Sequence, residues 1–533
     1  MLKRPLFVVS VVVGVALLGV ICYAMSGPTV IKKFQSADKQ NLCTDSVVSE
    51  QSPIRLPDTM YSSVSSLFYK VECFDTVSSP LLEPLTSLYD TKQTLTFRGS
   101  PMRDMPQTGV LDSLPSRIDL VWSFRTDVDT RETKYGVWGG GSGWTGQPLY
   151  VCWPDSIAAQ MAEKPFVKRE NFSSREIIIG SLCGKVYFLN FDNGQPSREP
   201  IKVGNPIKGT PSLDPRMNGY LYVGQGVPAE QAFGAAVYNL FSHQRISFFD
   251  RDYQAWRSWG AYDSSPIVAG GFVFRPGENG TIYKLGADGV SIHSLLRYRA
   301  KSRGAAGVEA SMAVFSNYGF ISDNHGNILC INLDTMHPVW RFDNCDDTDA
   351  TPVLDVEQGR PVLYVGSAVD KQGNEGYSHL TKIDALTGEF IWQHPIPCQK
   401  IDYGGKLREG GMFSTPLMGR GDCEGMIFAN FCGLDSSTAG ALLAIDKQSG
   451  KVLYRTPLHY YSWSSPVAFT DAEGRMYIVT GDVIGYIYLI EAKSGRIIYS
   501  KRVAANFESS PVVVDDCVVV GSRGNMIYKF QVK

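Results

Sequence analysis

Three recurring features of this sequence predict an all-β protein: an eight-bladed β-propeller of four-stranded antiparallel blades, closed by an N-terminal strand. First, a small residue followed by proline returns along the chain, at Pro148, Pro211, Pro266, Pro352, Pro416, Pro466 and Pro511, and Met312 takes the proline's place in "ASMAV". These copies lie roughly 40 to 64 residues apart, the period of a repeat architecture. Second, each is followed by a glycine and a run of alternating apolar residues, clearest at 184–190, 326–332, 440–446 and 485–491. Third, an acid or amide opens a Ser/Thr-Gly turn that leads to an aromatic residue: Asp384, Gly388 and Trp392; Asp446, Gly450 and Tyr454; Glu491, Gly495 and Tyr499; Asn332, Met336 and Trp340.

Each feature has a physical role in a blade. The proline starts the innermost strand, where its missing N–H costs little. The alternating run makes an inner strand, and the turn glycine is free to adopt φ > 0. The aromatic residue then falls on the outer strand, where a large ring can pack on the neighbouring unit; Trp340, Trp392, Tyr454 and Tyr499 are expected there. Four short strands per unit make a blade, and eight units close a ring around a channel. The last unit, from Phe507, ends at Lys533 without its fourth strand. "IDLVWSFRT", with Trp122, precedes the first unit, so residues 118–126 are expected to complete the eighth blade.

Composition narrows the class. With 51 basic and 53 acidic residues there is no electrostatic footprint for nucleic acid. The 52 glycines, 26 tyrosines and 26 phenylalanines suit turns and strands. Lys3 and Arg4 precede an uncharged apolar run from Leu6 to Met25, long enough to cross a bilayer. An uncleaved anchor, a signal cleaved near Ala24-Met25-Ser26, and lipid attachment at Cys22 are the three readings of this run. In each, the positive-inside bias places the body outside the cytoplasm, in the periplasm or at the cell surface. Residues 1–25 are therefore read as anchor or signal, 26–114 as a Ser/Thr-rich tether and lead-in, and 115–533 as the propeller. The cysteines show no C-x-x-C and the histidines no zinc spacing, so a zinc site is unsupported. Cys43 and Cys73 are the one pair that shares a segment.

The triplet Asp384, Gly388, Trp392 matches the tryptophan-docking pattern A-x-D-x-x-x-G-x-x-x-W, and over about 115–533 the chain resembles the quinoprotein-type (PQQ-binding-like) β-propeller superfamily. That resemblance implies one of two functions. One branch holds PQQ-dependent alcohol and sugar dehydrogenases, which place a Ca²⁺ beside the cofactor, use a carboxylate base, and often carry a disulfide between adjacent cysteines. The other is noncatalytic and BamB-like. No two cysteines are adjacent here, and no motif selects a base among Asp263, Glu309 and Asp349. The favoured reading is a noncatalytic, cofactor-free, monomeric binding platform of the cell envelope. It is held at the membrane by its N-terminal segment, and its partner is a protein or a glycan. The alternative is a PQQ-dependent dehydrogenase with Ca²⁺.

Candidate site residues follow from the repeat register. "WGGGSGWTG" contains a formal G-x-G-x-x-G, but a strand rather than a helix follows it, so no helix dipole is offered to a phosphate. It reads instead as the loop into the first innermost strand. Three residues before each proline stand Thr145, Lys208, Asp263, Glu309, Asp349, Phe413, Trp463 and Glu508, all expected on the channel rim. Trp138 and Trp144 join them from the glycine loop. Four of these are carboxylates, the donor set of a hard cation or of a basic partner loop; a wet, solvated rim is the plainer reading. "DNCDDTDA" (343–350) lacks the glycine and terminal glutamate of a calcium loop and reads as a solvated turn.

Overall fold

The computed structural model describes residues 61–62, 64–74, 88–89, 92–105, 107–144, 146–230 and 232–533. The apolar run at 6–25, Cys43 and much of the tether fall outside these residues. Among the described residues the sheets form eight blades, spanning 149–202, 212–249, 267–300, 313–343, 353–399, 417–457, 467–502 and 512–532. They are numbered here as blades 1 to 8 in that order. Ile118–Arg125 completes blade 8, running antiparallel to Met526–Val532 with Trp122 opposite Lys529. The two ends of the repeat array are thus joined in one sheet, as the truncated last unit predicts.

Both faces of an inner strand are covered by neighbouring blades, so these strands are largely apolar. Arg175–Gly180 and Met426–Cys432 are buried almost throughout. The outer aromatic residues then tie blade to blade. Trp122 lies over the turn of blade 1: its Nε1 donates to Phe191 O (2.9 Å), and a Cβ on Gly194 would fall 2.5 Å from its ring. Trp340 sits likewise on blade 5 at Gly388, donating to Ala385 O (3.0 Å), and Trp392 on blade 6 at Gly450, donating to Lys447 O (3.1 Å). Tyr454 covers Gly495 of blade 7 and donates to Ala492 O. Tyr499 is half-buried against the apolar cluster of blades 7 and 8. In the turn itself Asp384 Oδ1 accepts from the N–H groups of Leu386 and Thr387, and Gly388 takes φ +74°. Where Met336 replaces that glycine it adopts φ +60° and is fully buried.

Several blades carry more than four strands. Leu67–Cys73 adds an outer strand to blade 3, Tyr61–Ser62 adds one to blade 4, and Gly109–Leu111 lies parallel to the innermost strand of blade 7. These additions cover sheet edges that would otherwise present unpaired backbone groups. A short helix, Asp155–Ala162, joins the first two strands of blade 1 and buries Met161.

The residue before each proline has a second role. Gln147 N donates to Thr210 Oγ1, Ser265 N to Ser311 Oγ, Ser311 N to Thr351 Oγ1, Thr415 N to Ser465 Oγ and Ser465 N to Ser510 Oγ, at 2.8 to 3.2 Å. Each of these bonds joins one blade to the next, so a belt of hydroxyls runs around the channel. The glycine loop is also explained. A Cβ at Gly141 (φ +69°) would sit 1.7 Å from Ser522 O, because the loop is pressed between blade 8 and blade 1. Its glycines serve close backbone approach, and Leu149–Cys152 follows as a strand.

Trp122→Ala removes a buried indole at the closure and is expected to cost about 3–5 kcal/mol. Tyr499→Ala, at a half-buried ring, is expected to cost clearly less. Denaturant unfolding of the two variants beside the wild type measures both.

Candidate functional site: the mouth of the channel

The loops that enter the innermost strands and those that join second to third strands meet on one face. They bring the rim residues together in two groups, one charged and one aromatic, with Glu508 joined to the aromatic group through Tyr403. The charged group spans blades 2 to 5. Lys208 forms ion pairs with Asp263 and, at 3.4 Å, with Glu309 Oε2. Glu278 joins them: one carboxylate oxygen from each of Asp263, Glu278 and Glu309 lies within 4.8 Å of the others. Beside these, Asp347 and Asp349 face one another across a half-buried turn.

Burial dominates the electrostatics here. Desolvation alone would lower the Lys208 pKa, but Asp263, Glu309 and Glu278 outweigh it and hold the ammonium well above the ordinary lysine value. Burial raises Asp263 despite Lys208. Glu278 is pushed well above the glutamate range by burial and by the Glu309 and Asp263 charges, although Trp259 Nε1 donates to its Oε2 (2.9 Å). Asp349 is raised by burial, Asp347 and Glu309, and Asp347 by burial and Glu309. Asp263 with Glu278, and Asp347 with Asp349, lie as carboxyl pairs close enough to share a hydrogen bond. Such a set holds protons, or a cation, in preference to bare charge.

The second group is aromatic and spans blades 6, 7 and 1. Phe413 packs on Trp144 at 6.0 Å and on Trp463 at 5.8 Å between ring centroids, and Trp463 stacks on Tyr403 at 5.4 Å. Lys208 Nζ lies 5.9 Å from the Trp144 centroid, where the two groups meet. Glu508, fully buried on blade 8, stands apart from the other carboxylates. It accepts from Tyr403 OH (3.1 Å) and Asn506 Nδ2 (3.0 Å), and pairs with Arg523. Trp138 stands beside Arg523, 5.3 Å from its guanidinium. Thr145 lies outside the described residues.

Three features escape the repeat register. Glu278 arrives from a second-to-third-strand loop, in "GENG", and carries no fixed offset from a proline. Tyr403 lies on a hairpin, Ile401–Tyr403 with Lys406–Arg408, inserted between blades 5 and 6. The long interval from Pro352 to Pro416 is its trace in the sequence. The "DNCDDTDA" segment is not a simple solvated turn. Asp346 is fully buried and accepts from the backbone of Asp370 and Lys371 and from Gln372 Nε2, which organises the neighbouring loop of blade 5.

Known proteins share this sequence and architecture in different degrees. A family model described as outer membrane protein assembly factor BamB matches residues 438–533. BamB of Yersinia pestis is 23% identical over 291 residues, covering 52% of this chain and 63% of that protein. The repeats are PQQ-like, and the propeller resembles BamB. BamB of Moranella endobia (strain PCIT) is 22% identical over 270 residues, covering 50% of this chain and 61% of its own length. The chain thus spans somewhat over three-fifths of the BamB proteins it matches. A quinohemoprotein alcohol dehydrogenase, ADHIIG of Pseudomonas putida HK5, superposes with a TM-score of 0.55 at 12% identity, over 85% of this chain and 82% of that one. That likeness is one of fold.

The polar half of this mouth is rich in carboxylates, the donor type a hard cation takes, and the Lys208 ammonium already stands between Asp263 and Glu309.

The raised aspartates give a signed pH effect. A carboxyl raised above its unfolded value loses stability as pH climbs from about 4 through its folded pKa. Asp347→Asn with Asp349→Asn removes that loss. The double variant is therefore expected to gain Tm over the wild type at pH 8, with the gain shrinking toward pH 5. Thermal melts at the two values check the sign.

Proposed function

We propose that this chain is a noncatalytic binding platform of the cell envelope. It acts, like the BamB proteins it resembles, in outer membrane protein assembly, and it docks a protein partner on the channel-side loops. The observation that carries this reading is the pattern of exposure on that face. The connections into blades 1 and 3 expose Tyr135, Val137, Tyr253 and Trp256, with Tyr253 83% exposed, while the charged and aromatic groups of the mouth are largely engaged with one another. Aromatic residues on a polar rim are the usual anchors of protein interfaces.

A protein partner is favoured over a glycan. Trp144 and Trp463 both pack on Phe413, so part of each ring is already engaged. The N-terminal apolar run supports an exported, membrane-held chain, and the propeller works as a monomer. Trp138, Trp144, Lys208, Asp263, Glu309, Asp349, Phe413, Trp463 and Glu508 shape and stiffen the docking face rather than perform chemistry.

Photo-crosslinking residues at Tyr135 and Tyr253, with Val356 on the opposite face as control, test this in whole envelopes. Adducts to an outer membrane assembly component are expected from the first two positions. Tyr253→Ala with Trp256→Ala is expected to weaken that complex by about tenfold or more. Adducts from Val356 alone would overturn the reading, as would stoichiometric, calcium-dependent binding of PQQ.

A further inference from the structure

Beneath the mouth the channel is filled by the chain itself. The edge of every innermost strand faces this axis, and a carbonyl left there without a donor or water is costly. Lead-in residues between 94 and 102, together with Val110, supply the partners. Thr94 forms a two-way backbone bridge with Tyr150 of blade 1, and Leu213 N of blade 2 donates to Leu95 O (2.8 Å). Thr96 Oγ1 donates to Pro266 O of blade 3 (3.0 Å). Val314 N of blade 4 donates to Pro101 O (2.7 Å), and Leu354 N of blade 5 to Met102 O (3.0 Å). Val110 N donates to Asp515 O of blade 8 (3.1 Å), beside the parallel pairing with blade 7.

Two arginines stand at the centre of this segment, both fully buried and both at positive φ (59°). Arg98 divides its fork between Pro466 O of blade 7 (2.9 Å) and Pro416 O of blade 6 (3.2 Å). Arg103 reaches the other side, to Met312 O of blade 4 (2.8 Å) and Ser265 O of blade 3 (3.0 Å). These are the repeated proline positions and one neighbour. They lie three residues past the rim positions, about 10 Å down the strand. Burial lowers the two guanidinium pKa values to about 9 and about 10, so both stay charged at neutral pH. A planar fork can meet two carbonyls on adjacent blades; a lysine ammonium, a compact point charge, fits that geometry less well.

We propose that the lower channel is a binding site for an arginine-bearing peptide, occupied in cis by residues 93–111. This internal ligand clamps the eight blades and holds the N-terminal part of the chain to the ring without a covalent cross-link. The inference stands apart from the proposed docking role, since it concerns the axis and not the exposed loops.

A protease site inserted between the exposed residues Asp112 and Ser113 of the full chain allows cleavage after folding. The two fragments are expected to co-elute in native size-exclusion chromatography. The cleaved chain carrying Arg98→Ala and Arg103→Ala is expected to melt at least about 5 °C below the cleaved wild type. A synthetic peptide of residues 92–111 should raise that Tm, and the same peptide with both arginines replaced by alanine should not. Equal melting of the two cleaved chains, or equal rescue by the two peptides, would overturn the proposal. If the double variant fails to fold, uncleaved Arg98→Lys serves: a melt below wild type supports the fork geometry, and an unchanged melt contradicts it.

Discussion

Eight β-sheets arranged around an axis leave eight innermost edges facing one another, and what those edges do with their polar groups is the constraint on which the rest depends. Here the repeated small-residue-proline motif answers part of it. Proline removes one donor at the head of seven of the eight innermost strands, and the hydroxyl before it, or before Met312 in blade 4, accepts from the preceding blade. The remaining carbonyls point inward, where Arg98 and Arg103 fan out to blades on opposite sides. A repeat designed for packing between neighbours thereby acquires bonds across its whole diameter. The positive φ of both arginines is tolerated because the surroundings over-determine their placement.

The mouth follows from this floor. Above the filled lower channel, five carboxylates cluster around the Lys208 ammonium, most of them deeply buried. Lys208 becomes an internal counter-ion, and burial drives the acids upward. The aromatic half packs edge to face on itself. Side chains from seven blades thus brace one another across the mouth. The exposed aromatics stand on the longer connecting loops around it.

Much of the ring was legible in the sequence because its determinants are local and repeated. Gly388 and Trp392 announce an outer-strand turn at fixed spacing, and a last unit lacking a strand demands a donor such as Ile118–Arg125. The offset from the repeated motif also placed Lys208, Asp263 and Glu309 side by side, since each stands three residues before the head of an innermost strand. What escaped comes from segments used once. Glu278 and Tyr403 reach the mouth from a loop and an insertion with no counterpart to align. Arg98 and Arg103 lie in a polar stretch whose composition reads as tether, and their value exists only once carbonyls of four blades surround them. Asp346 was masked by its neighbours: a run of acids suggests solvent, whereas one of them is buried against the N–H groups of the next loop.

Native-state hydrogen exchange tests most directly the claim that the ring is organised around its own lead-in. The amides of Thr94, Leu213, Val314 and Leu354, each bonded across the interface between lead-in and blade, are predicted to exchange as slowly as those of the central strands. Their exchange should open only with global unfolding. Fast exchange at these four positions, with the blade interiors still protected, would show that the ring stands without the segment and would contradict the account.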